Sequence, residues 1–103
     1  MNKQTATPPV LLALARELLG ATLDQQRLLR AVPGGLDAAM LAEVERTYRD
    51  TAAEIPQYRR LVDQWNRQDP AAEGLADLSE VVDRLSIEYS EVFDLITAQR
   101  VDS

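Results

Sequence analysis

The chain contains no cysteine and no histidine. Without thiols it can form no disulfide, no thiolate metal site and no thiol nucleophile. Without imidazole it lacks the side chain that titrates near neutrality and the usual partner ligand for zinc. Aromatic residues make up only 5% of the 103 residues, so a core has to be filled by Leu, Val, Ile and Ala. Lysine occurs only as Lys3, which leaves no well-placed amine to activate a hydroxyl nucleophile. No apolar run approaches the roughly 20 residues that span a bilayer. No stretch alternates apolar and polar residues with the period of a strand.

What is present suits one small helical domain. Hydrophobic residues account for 46%, enough to fill a core. Lys and Arg number 11 against 17 Asp and Glu, a formal net charge of −6. The segment Val10–Ala15 is apolar, and Ala13-Leu14-Ala15 resembles a small-x-small cleavage site. The run is short, follows Pro8-Pro9 and flows into Arg16-Glu17 on one helical pattern, unlike a secretory signal. The expectation is a cytoplasmic chain with a flexible tail over 1–7, one domain over 8–100 and a frayed end over 101–103.

Proline and glycine divide the sequence at Pro8-Pro9, Pro33-Gly34-Gly35 and Asp69-Pro70 to Gly74. The spacing predicts a first helix over about 8–32, capped by Thr7, with proline tolerated in its first turn. Its inward stripe reads Leu11, Leu14/Ala15, Leu18, Ala21/Thr22, Gln25, Leu28/Leu29 and Val32. Gly20 interrupts that helix at a cost of about 1 kcal/mol relative to alanine. A second helix over about 36–67 carries Val44, Tyr48, Thr51, Ile55, Tyr58, Val62 and Trp65 at heptad spacing. Pro56 lies inside it, and a mid-helix proline costs about 3 kcal/mol. The apolar phase is nevertheless the same on both sides. The prediction is a helix kinked near Pro56 and continuous through it, with a break at Glu54–Pro56 as the alternative.

A third helix over about 77–100 opens on Asp77-Leu78-Ser79-Glu80, which has the spacing of a capping box. Its seam is Leu78, Val82, Leu85, Tyr89, Val92 and Ile96. Heptad spacing and short connections together predict an all-α, elongated, antiparallel three-helix bundle. Folding about the second connection sets Trp65 beside Leu78 and Ile55 beside Tyr89.

Candidate chemistry rests on carboxylates alone. Glu80 with Asp83, and Glu88, Glu91 and Asp94, stand one helical turn apart on the third helix. They resemble, weakly, the paired acidic motifs with which all-α nucleotide pyrophosphatases hold Mg²⁺, an ion that prefers oxygen ligands. Such sites need acids converging inside a bundle, whereas Glu80, Asp83, Glu91 and Asp94 lie on the polar side of the seam. They read as a solvated face, and no metal or cofactor is called for. Arg46, Arg60 and Arg67 share one outward position on the second helix, with Arg49 and Arg59 nearby. Interspersed acids and the net charge of −6 disfavour nucleic acid as their partner. Pairing within the helix, as Glu45–Arg49 and Asp63–Arg67, is the simpler role.

Apolar surface is in surplus. Leu12, Leu19 and Leu23 form a second stripe on the first helix, and Ile87 falls opposite the seam of the third. Several aligned leucines exceed what a monomer usually leaves bare. The expectation is a non-enzymatic protein–protein interaction module, an adaptor, assembly factor or regulator, that self-associates as a homodimer through the first helix. Its interface would comprise Leu12, Leu19, Leu23 and Ile87, with Arg16 setting register and Trp65 as a partly exposed anchor. The alternative is an acidic inhibitor that imitates phosphate on a nucleic-acid-binding protein. A Mg²⁺-dependent nucleotide pyrophosphatase stands further back.

Overall fold

A computed structural model describes residues 7–31 and 36–102. The Pro33-Gly34-Gly35 connection, Val32 and all of the expected tail except Thr7 lie outside the described residues. Helix α1 covers Pro8–Ala31. It starts where the Thr7 carbonyl accepts the Leu11 N–H at 3.0 Å. Two prolines are tolerated there because first-turn amides have no partner within the helix. The second helix starts at Asp37, whose extended backbone (φ −77°, ψ 170°) lets its carboxylate accept the Met40 N–H at 2.8 Å. Such a cap contributes about 1 kcal/mol.

That second helix is bent near its middle, as the sequence predicts, into α2 (Ala38–Ala52) and α3 (Ile55–Gln68). Proline has no N–H to donate, so the ladder is rearranged around Pro56. The Ala53 N–H donates to Arg49 O at 3.2 Å, and the Glu54 N–H tightens onto Thr51 O at 2.9 Å. Ala53 (φ −64°, ψ −18°) and Glu54 (φ −84°, ψ −19°) both stay in the right-handed helical region. The axis therefore bends without reversing, and Val44 through Trp65 keep one common face, each at least half-buried.

Helix α4 covers Leu75–Asp102, so it begins two residues before the expected Asp77 and runs past Arg100. Gly74, at φ +82°, makes the entry turn, and its carbonyl accepts the Leu78 N–H at 2.9 Å. Asp77 thus lies in the first turn rather than at the cap, where its charge still suits the helix dipole.

Contacts along α4 give the topology. Arg16, Gln26 and Arg30 of α1 meet Asp77, Glu88 and Glu91 in ascending order, so α1 runs parallel to α4. Glu45 meets Arg100 and Arg59 meets Asp83, so α2 and α3 run antiparallel to it. The bundle measures 50 × 27 × 17 Å, with a radius of gyration of 16.1 Å. A compact domain of this size would have about 13 Å. The whole expected seam of the third helix, Leu78 to Ile96, is buried. One core cluster joins it to Leu11, Leu12, Ala15, Ile55 and Val62, and a second joins Leu29, Leu41, Val92 and Ile96. Ile55 and Tyr89 do meet, lining one hollow beside Pro56.

Helix α1 buries Leu11, Ala15, Thr22 and Leu29 of the expected stripe but is turned slightly further, toward Leu12 and Gln26. Its buried residues are Leu11, Leu12, Ala15, Thr22, Gln26 and Leu29, whereas Leu14, Ala21 and Leu28 are exposed. The cause is polar. The Gln26 amide donates to the Glu88 carbonyl at 3.0 Å and to the Glu88 carboxylate at 2.7 Å. The Thr22 hydroxyl donates to Leu18 O at 2.7 Å. Both residues are thereby satisfied and admitted to the interior.

The two glycines described by the structure should respond to alanine in opposite directions. A Cβ at Gly20 would meet nothing within 4 Å. Gly20→Ala should therefore stabilise the protein by about 0.5–1 kcal/mol in chemical denaturation. Gly74 has a positive φ that disfavours any Cβ. Gly74→Ala should cost about 1–2 kcal/mol. Equal effects at the two positions would contradict this assignment of the entry turn.

Candidate interaction groove

The residues singled out as an interface do not form one surface. Leu12 is only 8% exposed and belongs to the main core, so it cannot serve for docking. Leu19 is half-buried against that core and shares a shallow hollow with Glu80, Val81 and Arg84. Leu23 is half-buried as well. Arg16 is exposed and lies 3.9 Å from Asp77. Trp65 is half-buried and packs on the core. Ile87 is 66% exposed, on the face of α4 away from its seam. The rotation of α1 that buries Leu12 brings a different row outward, Val10, Leu14, Ala21 and Leu28, with Leu18 and Gln25 at its edge.

This row faces a gap in the bundle. The backbone of α1 approaches α4 closely, as do α2 and α3, whereas close backbone approaches between α1 and α2–α3 are few. Two hollows fill the space between them. One, of about 380 Å³, is lined by Leu14, Glu17, Leu18 and Ala21 of α1, together with Glu54 and Tyr58. The other, of about 410 Å³, lies between Gln25 and Leu28 on one side and Leu36, Met40, Glu43 and Val44 on the other. Leu14, Leu28 and Met40 are 50%, 59% and 51% exposed. From Leu14 to Leu28 the two hollows together extend along α1 for about 21 Å at 1.5 Å per residue, with Tyr48 between them.

Tyr48 crosses the gap between the two hollows. Its ring stands 5.1 Å from that of Tyr89, tilted by 54°. Burial raises the pKa of both phenols, while the Thr22 hydroxyl beside them opposes the shift. Tyr58, in the first hollow, is raised by burial and by the neighbouring Glu54 carboxylate. These hydroxyls stay protonated at neutral pH and act as hydrogen-bonding groups.

The acidic rows of α4 are largely committed to ion pairs. Asp83 accepts from Arg59 at 2.8 Å, and Glu91 accepts from Arg30 at 2.8 Å. Glu88 accepts from Gln26 and from Arg84, and these two hydrogen bonds hold its carboxyl below the ordinary value. Among the described residues no group of three or more acids is placed to hold a metal ion. Three of the singled-out arginines are engaged in the same way, Arg46 with Glu43 at 2.6 Å, Arg49 with Glu45 at 2.7 Å and Arg59 with Asp83, whereas the expected Asp63–Arg67 pair does not form. Glu45 also meets Arg100 at 2.7 Å, and that bond lowers its pKa. Among the described residues no helix is long and apolar enough to cross a membrane. Comparison of the chain with family models, curated proteins and solved structures gave no match.

Sequence reasoning missed Leu14, Leu28 and Met40 as surface residues. Two alternative stripes on α1 are equally apolar, and Gln25 and Gln26 offer no choice between them. The only signal was the carboxylate at Glu88, an acid beside the seam with room for an amide.

Glu88 has a lowered pKa in the folded state, so its pairing stabilises the fold above the ordinary carboxylate value of 4.5. That contribution is lost as pH falls through the lowered value. Glu88→Gln should therefore be less stable than the parent at pH 7, by on the order of 1 kcal/mol. The gap should close as the pH is taken below the carboxylate range. A gap independent of pH in urea denaturation would show that the charge of Glu88 contributes nothing.

Proposed function

We propose that the protein is a non-enzymatic interaction module that receives one amphipathic helix of another protein in the groove between α1 and α2–α3. The observation that carries this reading is the pair of hollows lined by Leu14 and Leu18 at one end and by Leu28, Leu36, Met40 and Val44 at the other. Their row on α1 has the spacing of a helix–helix seam, and the span suits about four turns of a partner. Such a helix would complete a four-helix bundle, a common way for helical proteins to bury an open apolar face. The exposed leucines and methionine then gain burial without any rearrangement of α4.

A second copy of the chain is the other occupant to consider, since the surplus apolar row lies on α1. Pairing two α1 helices face to face would bring Glu17 and Asp24 of each copy towards the same acids of the other, a repulsive arrangement. The acidic-inhibitor reading has less support, because Asp83 and Glu91 already hold arginines.

A titration with a synthetic amphipathic helix, apolar at i, i+3, i+4 and i+7 and flanked by glutamine, tests the reading. Methyl resonances of Leu14, Leu28 and Met40 should shift, and those of Ile87 should not. Leu28→Ser and Met40→Ser should each weaken binding about tenfold. Both should leave helix content unchanged, because both side chains are already half exposed. Absence of binding, or shifts centred on Ile87, would overturn the reading. A dimer detected by sedimentation and abolished by Leu14→Ser would reassign the groove to a second copy.

A further inference from the structure

Resting on the docking groove above, we infer that the helix it receives is basic along its flanks: an apolar face edged by Lys or Arg. The twelve residues that line the two hollows include Glu17, Glu43 and Glu54 and no Lys or Arg. Glu17 stands on α1, while Glu54 stands across the first hollow at the Pro56 bend. Glu43 marks the second hollow on the α2 side. A helix lying in the first hollow would thus find Glu17 and Glu54 on its two flanks, whereas Glu43 at the second hollow already holds Arg46 at 2.6 Å.

The cations near the groove have partners already. Arg46 is held by Glu43 at 2.6 Å, Arg27 by Asp24, and Arg16 is turned toward Asp77. The Glu54 side chain makes no cap bond at the start of α3, and its carboxylate accepts only a long hydrogen bond, 3.4 Å from the Tyr58 hydroxyl. Glu54 therefore remains available to a cation from outside. The overall charge of −6 acts in the same direction, raising the encounter rate with a basic partner and lowering it with an acidic one. These charges also explain why a second copy fits poorly: α1 offers the same acidic edge that the groove already has.

Three peptides with one apolar face, flanked by lysine, glutamine or glutamate, separate the possibilities when titrated against the full chain at low and high salt. The lysine peptide should bind about tenfold tighter than the glutamine peptide at low salt, and the glutamate peptide should bind weakest. The lysine advantage should shrink as salt screens the exposed charges. A double variant, Glu17→Gln with Glu54→Gln, should erase the ranking while retaining affinity for the glutamine peptide. Equal affinities, or a preference for the glutamate peptide, would overturn the basic-helix inference and leave the docking reading standing. Failure of all three peptides to bind would remove the docking reading itself.

Discussion

The buried seam of α4 is the contact on which the rest of the bundle depends. Leu78, Val82, Leu85, Tyr89, Val92 and Ile96 are covered by α1 on one flank and by α2 and α3 on the other. Each such side chain contributes about 1.5–3 kcal/mol when removed from water, so the seam supplies a large part of the favourable free energy. Because both neighbours lean on α4, neither needs to press against the other. The open groove follows from that arrangement, as does the flattened cross-section of 27 by 17 Å.

A polar layer fixes how α1 meets that seam. Gln26 bridges to the backbone and carboxylate of Glu88, Arg84 reaches the same carboxylate at 3.0 Å, and Arg30 reaches Glu91 one turn further on. A rotation of α1 by a third of a turn would bury Leu14 and Leu28 instead, but would leave the Gln26 amide and Glu88 without each other. So turned, Gln26 would face water, and what is lost is the net value of its bonds to Glu88, about 0.5–1.5 kcal/mol each. The hydrogen bonds therefore favour the phase that buries Leu12 and Gln26. The stripe that loses becomes the outer wall of the groove.

Much of this fold is legible in the sequence, for identifiable reasons. The third helix shows its seam because only one of its faces is continuously apolar. The bend at Pro56 is legible because the heptad phase of Tyr48, Thr51, Ile55 and Tyr58 crosses it unchanged, which a chain reversal would not preserve. The start of α4 was misplaced because Asp77 and Glu80 carry the spacing of a cap, whereas Gly74 makes the turn through a backbone angle. The groove was not legible at all. Its walls come from elements far apart in the chain, and the phase of α1 depends on one amide–carboxylate contact. Leu12 consequently read as surface, and the pair Leu28/Leu29 was not divided into the exposed and the buried member that the fold makes of it.

The account is tested most directly by measuring solvent access to methyl groups in the free protein with a soluble nitroxide, across a range of protein concentrations. If α1 is held by α4 alone, the methyls of Leu14, Leu28 and Met40 should be strongly relaxed at every concentration, while those of Leu11, Leu29 and Leu78 are spared. Protection of Leu14, Leu28 and Met40 equal to that of Leu29 in the dilute monomer would mean that the helices close on one another. It would contradict the open groove and everything built on it.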